Sequence, residues 1–207
     1  MLKATRITKI FNRQTIIDNL SFSVETGETV TLMAPSGSGK TTLISILAGI
    51  DREFSGAVTI TGHRPGVVFQ DPGLFWYKTV KENIVYPLGL KKIAWCSKME
   101  ARYREWIAAA GLAGFEDHYP HQISRGMKQK SAIIRTFLCN PDLVFMDEPF
   151  SAMDQASARS IVDHIRILHP HITLVLASHS LGQATGFSNR VFEVTKTPMS
   201  VFEITTP

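Results

Sequence analysis

Residues 29–48 read TVTLMAPSGSGKTTLISILA, and three physically different segments follow one another in it. Thr29–Met33 is short, apolar and β-branched, the form of a buried strand. Ala34–Gly39 is small and glycine-rich, so its backbone N–H groups can turn toward one point. Lys40–Ala48 predicts a helix, closed by Gly49 as its C-cap. A tight loop between a strand and a helix N-terminus is a cradle for an anion, because the helix dipole adds to the convergent N–H groups. Phosphate fits best. Pro35, Ser36, Gly37, Ser38 and Gly39 would wrap it, Lys40 would neutralise its oxygens, and the Thr41 hydroxyl would ligate Mg²⁺, with Thr42 beside it in the first helical turn. The pattern G-x-x-x-x-G-K-[ST] begins with Gly, and this chain has Ala34 there. A positive φ at that position would cost about 1–2 kcal/mol, and a negative one nothing.

A second acidic signal lies downstream. Leu143–Met146 is a continuous apolar run that ends in Asp147-Glu148. At a strand's carboxyl end, Asp147 can reach a Mg²⁺ held by Thr41, and Glu148 can address an attacking water as general base. Ile172–Ala177 is another apolar run, and Asp154–Leu168 between the two suits a crossover helix, so a parallel sheet is expected. Ala57–Ile60 and Val67–Phe69 look like further strands, with turns at Gly62 and Pro65-Gly66. Met99–Ala110 and Arg125–Cys139 read as helices, the second with Met127, Ile134 and Leu138 on one face. The outline is an α/β sheet domain with a helical insertion over about 73–139.

Composition narrows the classes. Hydrophobic residues are 44% and charged ones 19% of 207 residues, which excludes a disordered chain. There is no apolar run long enough for a transmembrane helix, and the N-terminus lacks an apolar h-region, so neither a span nor a secretory signal is expected. Cys96 and Cys139 match no metal spacing and point to a reducing, cytosolic setting. The net charge of +4 is dispersed and favours no nucleic-acid partner.

Four further stretches carry a family resemblance. ISRGMKQK (residues 123–130) resembles the signature of ABC-type ATPases, Gln70 in VVFQDPG their Q-loop glutamine, Ser151–Asp154 their D-loop and His179 their switch histidine. Phe11 stands where that family has an adenine-stacking aromatic. The resemblance implies a P-loop NTPase (RecA-like) fold: a parallel-sheet core with an antiparallel β edge, about 1–72 and 140–207, and a helical subdomain at about 73–139, all one ATP-binding domain over 1–207. It implies ATP and Mg²⁺ as cofactors. Glu148, His179 and Gln70 would be catalytic, and Thr41, Gln70 and Asp147 would hold the metal. Ser124 and Gly126 would complete the γ-phosphate site of a second, identical or related, subunit. Transmembrane permease subunits, a solute-binding protein and a place on the inner face of the cell membrane are implied as well. The signature form resembles the nitrate, sulfonate and taurine importer branch.

Three departures stand against the pattern: Ala34, Arg125 in place of a signature glycine, and Ser180 where an Asp is frequent. A nucleotide-binding subunit with impaired hydrolysis is therefore an alternative, and a non-transport ABC ATPase is another. The chain stops shortly after His179, so no C-terminal regulatory domain is expected.

Overall fold

The computed structural model describes residues 1–61, 65–179, 188–194, 197–200 and 202–205. Its strands are β1 (Leu2–Phe11), β2 (Gln14–Val24), β3 (Thr29–Met33), β4 (Ser55–Ile60), β5 (Pro65–Val68), β6 (Leu143–Asp147), β7 (Thr173–Ser178), β8 (Arg190–Val194) and β9 (Phe202–Thr205). Its helices are α1 (Lys40–Leu47), α2 (Val80–Leu90), α3 (Ser97–Ala109), α4 (Arg125–Phe137) and α5 (Gln155–Leu168). The chain divides into two compact units. Met1–Val67, Asp142–Glu148 and His171–Pro207 form the first, and Val68–Pro141 with Pro149–Pro170 the second.

The first unit holds two sheets. An antiparallel sheet runs in the order β2-β1-β4, and a six-stranded sheet in the order β5-β6-β7-β3-β8-β9. Within the larger one, β3 pairs in parallel with β7 and β8, and β6 with β7, while β8 and β9 are antiparallel. Every residue of β6 and β7 is buried, as expected of parallel strands covered on both faces. The register sets Met33 beside Ser178 and Asp147 beside Ala177. Three strands therefore end level, and the segments that follow them leave from one edge.

Several details differ from the sequence expectation. Pro65 and Gly66 belong to β5 and not to a turn. Pro65 opens an edge strand, where its missing N–H costs no ladder bond. The β1–β2 hairpin, whose strands the hydrophobic pattern did not mark, turns through Asn12 and Arg13, both with positive φ. Helix α1 stops at Leu47, and Gly49 follows with φ 73°. Ser180 lies outside the described residues.

The second unit is helical. Helix α2 packs on α4, and α3 on α5, which is why α5 falls in this unit although the sequence outline assigns 140–207 to the core. Helix α2 begins at a capping box: Thr79 Oγ1 accepts from Glu82 N, and Glu82 Oε2 accepts from Thr79 N. Fully buried Asn83 donates to the carbonyls of Phe75, Lys78 and Thr79 and accepts from Phe75 N, so its amide is satisfied and pins the preceding turn. Ile134 and Leu138 are buried, whereas Met127 is only half-buried.

The α3–α5 contact encloses Trp106, completely buried, edge-on to His164 at 4.6 Å and tilted against Phe137 at 5.6 Å. Burying one such aromatic contributes on the order of 2–3 kcal/mol. His169 beside them accepts from Arg102 Nη2 at 2.7 Å. Burial, with Arg102 and His164 as neighbouring cations, pushes His169 down to about 4; burial lowers His164 as well, with Glu105 the opposing charge. A base depressed in the folded chain and near 6.5 in the unfolded one takes up its proton on unfolding. Stability should therefore be level above about pH 7 and fall as pH drops from about 6.5 toward about 4. Thermal melting across that range checks this, with His169→Gln expected to flatten the loss; an unchanged slope in the variant would assign the acid sensitivity elsewhere.

Candidate nucleotide site

In the first unit the sequence-predicted residues come together because β3, β6 and β7 end in register. The loop after β3 carries Pro35, Ser36 and Gly37 exposed, and Ser38 buried with its hydroxyl unpartnered. Gly37 and Gly39 have φ 78° and 100°. At Gly39 a Cβ would also stand 2.6 Å from Ile16 Cγ2, so glycine is required there on two counts. Ala34 is not among the positive-φ residues, so the missing first glycine carries no backbone cost.

Lys40 is buried. Its Nζ donates to the carbonyls of Ala34 at 2.6 Å and Pro35 at 3.0 Å and lies 3.7 Å from Glu148 Oε1. Glu148 Oε2 meets His179 Nδ1 at 2.8 Å. Glu148 itself has φ 47°, and its N–H continues the sheet ladder to Ala177 O at 2.9 Å. A non-glycine residue in this region is uncommon, and such conformations gather at functional sites. Thr41 Oγ1 donates to Asp147 Oδ2 at 2.5 Å. The buried Asp147 Oδ1 has no hydrogen-bond partner. Burial raises the pKa of Asp147, the Thr41 hydrogen bond lowers it, Glu148 raises it as a like charge, and Lys40 lowers it.

No group of three or more His, Cys, Asp or Glu side chains able to hold a metal occurs among the described residues. Mg²⁺ does not need one, since it keeps several waters and takes one or two protein oxygens plus phosphates. The Thr41 hydroxyl and the unpartnered Asp147 Oδ1 fit that demand. Thr42 is half-buried in the first turn of α1, and the Phe11 ring is 63% exposed at the end of β1.

Gln70, Ser124 and Gly126 belong to the second unit. Gln70 is exposed and lines, with Asp71, Pro72, Arg125 and Lys128, an open cleft of about 450 Å³. Ser124 caps α4, accepting from Met127 N at 3.2 Å. A Cβ on Gly126 would stand 2.7 Å from the carbonyl oxygen of Ala152, in the stretch read as a D-loop. Asp154 caps α5 through Ser157 N, which holds its carboxyl below the usual range. Sequence reasoning missed the Lys40–Glu148 pair and the packing of Gly126 on Ala152, because neither contact leaves a local pattern.

The comparisons with known proteins agree with one another. The family model "ABC transporter" matches residues 17–151. The aliphatic sulfonates import ATP-binding protein SsuB of Bacillus cereus is 35% identical over 96% of this chain and 82% of its own length. An uncharacterized ABC transporter ATP-binding protein of Methanocaldococcus jannaschii, MJ0412, is 39% identical over 98% of this chain and 80% of its own. Among solved structures, the ATP-binding cassette MJ0796, a dimer in a post-hydrolysis state bound to ADP and Pi, superposes with a TM-score of 0.88 at 27% identity, covering 100% of this chain and 98% of that one.

Gly126→Ala should push the Ala152 carbonyl aside and destabilise the fold by about 1–3 kcal/mol. The neighbouring, exposed Arg125→Ala should leave the melting temperature nearly unchanged. Equal melting temperatures for both variants would show that the backbone there yields freely.

Proposed function

The chain belongs to the ABC transporter family of ATP-binding proteins, and on that premise we propose how its residues divide the work. Hydrolysis of ATP is its reaction, and the free energy released drives import of a small solute. The observation that carries the residue assignment is the level ending of β3, β6 and β7, which gathers Lys40, Thr41, Asp147, Glu148 and His179 in one unit.

Lys40 exchanges the carbonyls of Ala34 and Pro35 for β- and γ-phosphate oxygens, and the loop N–H groups with the Ser38 hydroxyl take the remaining ones. Thr41 and Asp147 would hold Mg²⁺, whose charge would screen the phosphates; a role for Gln70 in the reaction follows from the family resemblance alone. Glu148 orients a water and accepts its proton, and His179 holds the Glu148 carboxylate in place. The buried surroundings of Asp147 and Glu148 strengthen each of these interactions. Phe11, exposed, is the platform for the adenine. Ala34 supplies no argument for impaired hydrolysis, since its φ is not positive.

The working form is a dimer in which Ser124 and Gly126 of one copy close on the nucleotide of the other; the dimeric MJ0796 structures support it. Residues 1–207 would act as one ATP-binding domain. No helix among the described residues is long and apolar enough to cross a membrane, so translocation falls to permease subunits. A docking face for them is present on α2. Its buried side is Val80, Ile84 and Leu88, yet its outward side carries Tyr86 and Leu90, with Trp76 77% exposed nearby in sequence. A helix apolar on two sides marks an interaction surface. The names of two relatives, an aliphatic sulfonate and a sulfate/thiosulfate import ATP-binding protein, favour a small sulfur oxyanion as solute. A solute-binding protein and a position on the inner face of the cell membrane follow from the family resemblance alone.

Two experiments test this reading. Glu148→Gln should lose turnover by roughly 10²- to 10⁴-fold while keeping ATP, and should trap an ATP-bound dimer visible by size-exclusion chromatography. A variant that hydrolyses at the native rate as a monomer would refute it. Lys40→Ala should weaken ATP binding by roughly 10- to 100-fold in equilibrium titration; unchanged affinity would overturn the phosphate-loop assignment.

A further inference from the structure

Helix α4 does more than present Ser124 and Gly126. The backbone on both sides of Gln70 is fastened to it. Gln129, only 2% exposed, donates from Nε2 to the carbonyl of Phe69 at 2.9 Å. Arg135, six residues further along the helix, donates from Nη2 to the carbonyl of Pro72 at 2.7 Å and from Nη1 to that of Gly73 at 2.9 Å. Between these anchors, Asp71 Oδ1 accepts from Gly73 N and closes the turn. Gln70 and Asp71 are thus bracketed by three hydrogen bonds from one helix.

Arg135 is an expensive choice for this task. Burial depresses its guanidinium, and the contacts that offset that penalty are two neutral carbonyls. A half-buried cation bonded to no carboxylate among the described residues costs more than an apolar residue of its volume, unless its fixed fork of donors is what the site needs. The fork matches two successive carbonyls, so it fixes the direction of the loop as well as its distance. Gln129 is likewise a buried amide whose nearest apolar substitute would leave the Phe69 carbonyl unpaired.

We infer that Gln129 and Arg135 are positioning residues that make the Gln70 loop and the Ser124–Gly126 end of α4 one rigid piece. Neither side chain touches the reacting atoms; both act through Gln70. The inference rests on the proposed role of Gln70 in ATP hydrolysis.

Two measurements test it, the first independent of turnover. In Arg135→Met, hydrogen exchange at the amides of Gln70, Asp71 and Gly73 should rise by roughly tenfold or more, with the amides of residues 37–41 unchanged. Unchanged exchange at 70–73 would overturn the tether whether or not the chain hydrolyses ATP. The second is a double-mutant cycle in full-length protein. Arg135→Met alone should lower kcat by roughly 10- to 100-fold with ATP affinity within about twofold. Arg135→Lys, which keeps the charge but loses the rigid planar fork, should give an intermediate kcat. In the Gln70→Ala background, Arg135→Met should lower kcat by less than about threefold further. Fully additive losses, or complete rescue by Arg135→Lys, would mean that Arg135 supplies charge or packing and not the position of Gln70. Native turnover in the same series reports separately on the proposed function.

Discussion

The Thr41–Asp147 hydrogen bond exists because two strands of one parallel sheet end at the same level. Asp147 is the last residue of β6, and Thr41 lies in the first turn of the helix that follows β3; β7 stands between those strands and keeps the register of both. In a parallel sheet every crossover returns to the same edge, so loops with different sequences are delivered to one place. His179 arrives by the same route, directly after β7. A shift of one residue in the β6–β7 pairing would turn Asp147 to the opposite face of the sheet and leave Thr41 without its acceptor.

The charges gathered there form a balanced set. Lys40, Asp147 and Glu148 are all buried, where polar and charged groups are costly without partners. Lys40 near Glu148 and the Thr41 hydroxyl on Asp147 offset part of the desolvation, and two loop carbonyls take the remaining protons of Lys40. The offset is incomplete: Asp147 Oδ1 and the Ser38 hydroxyl have no partner. These groups are suited to a charged ligand because they are costly without one. The left-handed backbone of Glu148 adds to the same account, since it aims the carboxylate at both Lys40 and His179.

The second unit applies the same economy to backbone groups. Asn83, Gln129 and Arg135 are polar side chains turned inward, and each holds carbonyls of an irregular segment: Asn83 those at 75–79, the other two those at 69–73. Loops rich in unpaired carbonyls can lie against helices only where such donors meet them. Trp106, by contrast, is held by ring contacts with His164 and Phe137.

Much of the fold was legible from residues 29–48 and from the apolar runs at 143 and 172, because buried parallel strands and a glycine-rich loop write continuous local signals. The β1–β2 hairpin was not, since register shifts along β1, with Arg6 and Asn19 at positive φ, break the alternation that marks a strand. Helix α2 was hidden for a different reason: Val80, Ile84 and Leu88 form a stripe, but Tyr86 and Leu90 on other sides blur it, although Thr79 and Glu82 spell a capping box that could have located it. The sequence by itself determined which residue types the chemistry has available, for a loop, a hydroxyl, two carboxylates and a histidine are properties of order and spacing. Only the tertiary structure decided which atoms meet. The Lys40–Glu148 pair, the φ of Ala34, the carbonyl against Gly126 and the clamp of Arg135 on the Gln70 loop depend on strand register and helix packing, which are settled by burial over the whole chain and not by any neighbour in sequence.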